Sequence, residues 1–190
     1  IKQVLVLLKR VFNWAIKREL FDGRNPCTKI EAPQFDNTVT APYSKEDLVR
    51  IIKYLNECGN ERSELVIKFA LFTGRRRGEI LKLQWENVNL ETGYVSFSGI
   101  SSKNKRTQEV PMNKNAMMIL RRCHTLKIGP WVFSSSTGGY YSTFENTWKR
   151  LKKRLKLRYR FHDLRHTFAS YLASSGDVDI IVLKELLGHR

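Results

Sequence analysis

A chain of 190 residues that is 42% hydrophobic can bury one good core, or one core and a fragment of another. Its formal net charge of +16 and pI near 10.0 lie far from the globular norm, so a polyanionic partner is expected, an unspecialised basic protein being the plainer alternative. No apolar run approaches the roughly 20 residues of a membrane span and the start lacks a signal-peptide pattern, which excludes an obvious membrane or secreted class and predicts a soluble, cytoplasmic protein.

Cys27, Cys58 and Cys123 are odd in number, far apart and without a C-x-x-C pair, as fits a reducing compartment and argues against structural zinc. Residues 2–20 predict an amphipathic helix with Val4, Leu5, Leu8, Val11, Phe12, Ala15, Ile16 and Leu20 on its apolar side, ended by Asp22-Gly23. The pattern starts at the first residue with no capping residue before it, so the helix is expected to be the end of something longer. Residues 24–42, with Asn25-Pro26, Pro33 and Pro42, read as a linker, and a new domain is expected from near Thr40.

Ser44-Lys45-Glu46-Asp47 looks like a capping box opening a helix with Leu48, Ile51, Ile52 and Leu55 inward. A second helix is predicted from about Glu61 to Phe72. Thr73-Gly74-Arg75-Arg76-Arg77-Gly78-Glu79 interrupts the helical run, the glycine allowing a tight turn, before Ile80, Leu81 and Leu83 resume the apolar pattern. Three consecutive arginines project in different directions, so at most one or two face inward, and Glu79 is placed to hold one of them; a solvated basic corner is the competing reading.

From Trp85 to Met112 the period changes to two, with Val88 and Leu90, then Tyr94, Val95 and Phe97, then Val110, separated by turns at Glu91-Thr92-Gly93 and Ser102-Lys103-Asn104-Lys105. A small antiparallel meander follows from this, with Lys103 beside a hairpin tip. Asn115–Leu126 returns to helix, Gly129-Pro130 breaks it, Trp131-Val132-Phe133 is a short strand or packing anchor, and Ser134–Gly139 reads as a flexible loop. Ser142-Thr143-Phe144-Glu145 offers another capping box, and its helix runs into Lys149–Arg160, where eight of twelve residues are basic and Leu151 and Leu155 form the buried side. Such a run is the footprint expected for backbone phosphates; a calmodulin-type or membrane-surface helix is the alternative for an isolated basic stretch.

The stretch Phe161–Ala169 carries His162, Arg165 and His166 three and four positions apart, stacked on adjacent parts of one helical face, with Leu164, Phe168 and Leu172 as a buried stripe. A fixed guanidinium beside imidazoles suits gripping and protonating an oxyanion. A solvated polar rim is the bland alternative. A zinc site of H-E-x-x-H type is disfavoured, because Asp163 replaces the Glu and Arg165 would stand beside the cation. Ser174-Ser175-Gly176 closes the helix, and Ile180, Ile181, Leu183, Leu186 and Leu187 form a last short one before Gly188 and His189.

Taken in order, TGRRRGEIL, SKNKRTQEVP, HDLRHTFAS and LLGH resemble the tyrosine recombinases, the phage-integrase-like DNA strand transferases, over essentially the whole chain. The resemblance implies an α+β, mainly helical fold whose catalytic domain contains a small three-stranded antiparallel sheet. It implies that residues 1–39 are the last helix of a core-binding domain plus a linker, and 40–190 a catalytic domain incomplete at its C-terminus. Matched motif by motif, the T-G-x-R-x-x-E arginine falls on Arg76 with Glu79 as its acidic partner, the hairpin lysine on Lys103, the H-x-x-R pair on His162 and Arg165, and the L-G-H histidine on His189.

By the same resemblance, Glu79 braces Arg76, His166 is structural, and Lys105, Arg106, Lys149, Arg150, Lys152 and Lys153 contact DNA. The family's nucleophilic tyrosine follows the L-G-H histidine and is expected beyond Arg190; Tyr159 and Tyr171 do not match its place. The implied partner is double-stranded DNA, with a homotetramer on DNA and a monomer for this stretch alone, and no metal or other cofactor. A catalytically inactive DNA-binding module of the same fold is the alternative; the type IB topoisomerases share the chemistry, but the integrase-style linker and the L-G-H context point away from them.

Overall fold

The structure is a computed structural model that describes residues 2–32, 42–97, 107–141, 144–176 and 178–187. By its internal contacts the chain divides into two units, Ile1–Thr38 and Val39–Arg190.

In the first unit, helix α1 (Lys2–Lys17) stops three residues before the predicted end. Glu19 takes a left-handed conformation at φ 58° and the Leu20 amide donates back to the Ala15 carbonyl at 3.0 Å, which turns the chain before Asp22-Gly23 is reached. Of the expected apolar side only Leu5 is buried within this unit, while Val4, Leu8, Val11 and Leu20 stay exposed. Asn25 belongs here rather than to an open linker. Its Nδ2 donates to the Lys9 carbonyl (2.9 Å) and to Asn13 Oδ1 (2.7 Å), and its Oδ1 accepts from the Cys27 amide (2.9 Å). The predicted boundary near Thr40, and Pro33, lie outside the described residues.

The second unit opens with α2 (Lys45–Glu57), capped as expected by the Ser44 hydroxyl accepting from the Asp47 amide at 3.1 Å. Ile51 and Leu55 are its fully buried positions. Helix α3 (Glu61–Thr73) follows. Leu65, Val66, Ile67, Phe69, Ala70 and Leu71 are all buried. A helix apolar round most of its circumference, with Glu61, Glu64 and Lys68 along one polar side, must be largely enclosed by other elements, and α3 packs against α2, α4 (Arg77–Leu81), α5 (Lys114–Thr125), α6 (Phe144–Leu155) and α7 (Asp163–Ser174). It is the centre of the unit, and α7, where the polar trio lies, packs on it from outside.

The meander forms as predicted in kind. Strands β1 (Val88–Asn89), β2 (Tyr94–Phe97) and β3 (Gln108–Pro111) make an antiparallel sheet in the order β1-β2-β3, with Val95 opposite Val88 and Val110 and Phe97 opposite Gln108. Trp85–Asn87, read as the start of the strand period, is instead a 3₁₀ turn. The Lys103 turn lies outside the described residues. Ser134–Gly139, expected to be a flexible loop, is closed by a bridge between Ser134 and Tyr140, and the Ser135 hydroxyl accepts from the Gly139 amide at 3.1 Å.

Ser142 and Thr143 of the second capping box also lie outside the described residues. Helix α6 ends at Leu155 and Lys156 is left-handed at φ 56°, so the basic run is helical only in its first half. Leu151 is fully buried and Leu155 partly so. The last helix is α8 (Ile180–Leu187). No helix of the described residues is long and apolar enough to cross a membrane.

Candidate functional site

Helix α3 ends at Gly74, which caps it in the left-handed region at φ 61°. A Cβ there would meet Phe168 Cδ1 at 2.6 Å and Leu187 Cδ2 at 3.1 Å, so the glycine lets α7 and α8 close over the end of α3. The turn delivers the arginines in three directions. Arg75 is 3% exposed, Arg76 is half-buried and Arg77 is exposed, paired with Glu145 and lying 5.5 Å over the Phe144 ring.

Glu79 binds the turn together. Its Oε1 accepts from Arg76 Nη1 at 2.9 Å and its Oε2 from the Arg76 amide at 3.2 Å, with Arg75 Nη1 at 3.8 Å. Arg75 stacks 4.3 Å over the Phe97 ring, donates from Nη1 to Gln108 Oε1 (3.0 Å) and from Nη2 to the Leu186 carbonyl (2.7 Å), and its buried Nε has no partner among the described residues. Burial pulls its pKa down to about 10 against the opposing pull of Glu79, and it stays cationic at neutral pH.

Helix α7 brings the second arginine. Arg165 is 4% exposed, donating from Nη1 to the Gly74 carbonyl at 2.9 Å and from Nη2 to the Leu187 carbonyl. Burial first and then the Arg76 charge draw its pKa down to about 10, with Glu79 working the other way. The polar trio therefore does not share one exposure. Arg165 turns inward to the end of α3, whereas His162 and His166 are exposed, their rings edge to face at 5.2 Å between centroids. Burial, His166 and Arg165 together hold His162 below the ordinary imidazole range. Of the predicted stripe, Leu164 is buried and Phe168 and Leu172 are only half-buried.

The start of α7 is fixed by groups that carry no obvious motif. Asp163, 1% exposed, accepts from the Arg160 amide at 2.7 Å and from Arg160 Nη2 at 3.3 Å. Thr167 Oγ1 donates to the Asp163 carbonyl (2.8 Å) and accepts from the Tyr43 amide (3.0 Å). Tyr171 donates to the Tyr43 carbonyl at 3.0 Å, and Tyr159 stacks on Tyr43 with 3.9 Å between centroids. Asp163 is thus committed to Arg160. Among the described residues no group of three or more His, Cys, Asp and Glu side chains could hold a metal ion.

Lys149, Arg150, Lys153 and Arg154 are exposed on α6 and Lys152 is half-buried. Lys103, Lys105, Arg106 and His189 lie outside the described residues. What the described groups form is a cationic corner: Arg76 and Arg165 with N–H donors to spare, one carboxylate between the arginines, and a neutral imidazole nearby. Such a corner accepts a tetrahedral oxyanion.

The profile of the Phage integrase family matches residues 43–190, all but the first few residues of the second unit, Val39–Arg190. The chain belongs to the phage integrase family. Among this family's members it is similar to the shufflon-specific DNA recombinase of Escherichia coli, 28% identical over 98% of this chain and 47% of that protein. It is also similar to the integrase of Salmonella phage P22, 32% identical over 72% of this chain and 38% of that protein. The chain thus spans about half the length, or less, of these relatives. The fold matches that of lambda integrase in a tetramer bound to a Holliday junction, with a TM-score of 0.78 at 20% identity over 100% of this chain and 56% of that one. The α+β, mainly helical architecture with its small sheet is that of integrase catalytic domains.

Proposed function

We propose that this phage-integrase-family chain is the catalytic part of a site-specific DNA recombinase, which cuts and rejoins strands through a 3′-phosphotyrosyl intermediate. The observation that carries it is the junction of α7 with the end of α3: Arg165 reaches across 91 residues to the Gly74 carbonyl, two positions before Arg76. That junction puts both guanidiniums within electrostatic reach of each other and of Glu79.

In this reading a tyrosine beyond Arg190 attacks the phosphorus, its oxygen bonds to the 3′-phosphate, and the bond to the 5′-oxygen breaks. A 5′-hydroxyl from a partner strand later reverses the step. Arg76 and Arg165 donate to the nonbridging oxygens, where charge grows in the pentavalent transition state. Lys103 protonates the departing 5′-oxygen, neutral His162 assists removal of the tyrosine proton, and His189 hydrogen-bonds the phosphate. Glu79 orients Arg76, its amide and guanidinium both donating to the one carboxylate.

Lys149, Arg150, Lys152 and Lys153 on α6, with Lys105 and Arg106, neutralise the duplex backbone. The segment 1–39 is the end of a core-binding domain. The working assembly on double-stranded DNA is a homotetramer, as for the lambda integrase bound to a Holliday junction, and the stretch alone is a monomer. It works in the cytoplasm of a bacterium or phage host, at the nucleoid.

The test is covalent trapping on a nicked duplex by a protein extended through its tyrosine. Arg76→Ala or Arg165→Ala is expected to lower cleavage by several orders of magnitude while duplex affinity falls only modestly. Unchanged cleavage removes the assigned roles, and a parent protein that binds without cleaving is an inactive DNA-binding module.

A further inference from the structure

A helix leaves its last four carbonyls without intrahelical donors. At the end of α8, three successive ones are taken by side chains from three different elements. Gln108 Nε2 on β3 donates to the Glu185 carbonyl, Arg75 Nη2 to the Leu186 carbonyl at 2.7 Å, and Arg165 Nη2 to the Leu187 carbonyl. Arg75 also donates to Gln108 at 3.0 Å, and Phe97, on which the guanidinium lies, is the cross-strand partner of Gln108.

The grip is therefore one connected unit, anchored on the last described rung of the β2–β3 ladder and on the turn that presents Arg76. Two of its three members are cations set at the negative end of a helix dipole. The next residues in sequence are Gly188 and His189.

We propose that Arg75 and Gln108 are positioning residues, which lock the C-terminal end of α8 to the sheet and to the α3–α4 turn and so set where the chain beyond Leu187 meets the phosphate. Arg75 touches no substrate. It acts through α8, and this role rests on the strand-transfer reading above. Leucine, equal in bulk to much of the arginine stem, fills part of the buried space but loses both hydrogen bonds and the guanidinium stacked on Phe97, whereas lysine keeps a charge and can satisfy one acceptor at a time.

In the protein extended through its tyrosine, Arg75→Leu is expected to slow single-turnover cleavage at saturating duplex roughly 10- to 100-fold, with the duplex dissociation constant changed by less than about threefold. Amide exchange should speed up over Ile180–Leu187 while α3 keeps its protection. Gln108→Leu should move both readouts the same way, and Arg75→Lys should fall between parent and leucine variant. Parent-like cleavage or unchanged α8 exchange in Arg75→Leu overturns the proposal, as does loss of protection throughout α3, which would make Arg75 a general core residue. Should the parent itself fail to cleave, the strand-transfer reading fails, and the exchange over α8 still decides the grip.

Discussion

At the scale of single residues, Gly74 and His162 show how the site is held and how it is tuned. Gly74→Ala forces a side chain into the left-handed region and against Phe168 Cδ1 at 2.6 Å. A loss of about 2 to 4 kcal/mol is expected, read as a lower urea midpoint with an unchanged slope. His162 is held below the ordinary imidazole value, first by burial and then by the His166 and Arg165 charges. The sign follows directly: the neutral form is favoured, so protonation waits for lower pH than in a free imidazole. If His162 takes the tyrosine proton, cleavage stays level through neutrality and falls only as pH drops below about 6.5, and His162→Asn removes that acid limb. A limb that persists in the variant assigns the titration elsewhere. Arg75 shows the limit of reading residues from sequence: three arginines in a row look alike, and only the αL turn at Gly74 decides which one points into the core.

At the scale of elements, α6 separates two uses of a basic stretch. Leu151 buries the helix, Lys149, Arg150, Lys153 and Arg154 face outward, and Lys156 ends it in a left-handed residue. The exposed cations should make duplex binding salt-dependent for any sequence, and reversing Lys149 and Lys153 to glutamate should flatten the slope of log affinity against log salt by roughly 2 or more. A slope unaltered by that change places the phosphate contacts elsewhere. Most elements were legible because their period is strong: Ser44 caps α2 as its pattern implies, and the change to period two at Val88–Val110 is the sheet. The end of α1 was not, because Glu19 is left-handed without a glycine to announce it. Nor was the closure of Ser134–Gly139, whose hydrogen bonds rest on polar residues that read equally well as open loop.

At the scale of the whole molecule, the H-x-x-R stretch identifies α7, yet the element that organises the second unit is α3, apolar round most of its circumference and packed against five helices. Sequence places Arg76 and Arg165 in separate motifs, and their meeting depends on a carbonyl, that of Gly74, which no side-chain pattern encodes. The same blindness hides Gln108, which looks like an ordinary strand residue until its amide is seen on the Glu185 oxygen. The three grips on α8 land on main-chain oxygens, and every amino acid brings the same oxygen. That grip on residues 185–187 does not depend on their side chains, and of the three only Glu185 is exposed while Leu187 is buried and Leu186 half-buried, which leaves evolution at liberty to rewrite that helix's outward face for new neighbours while its terminus stays anchored.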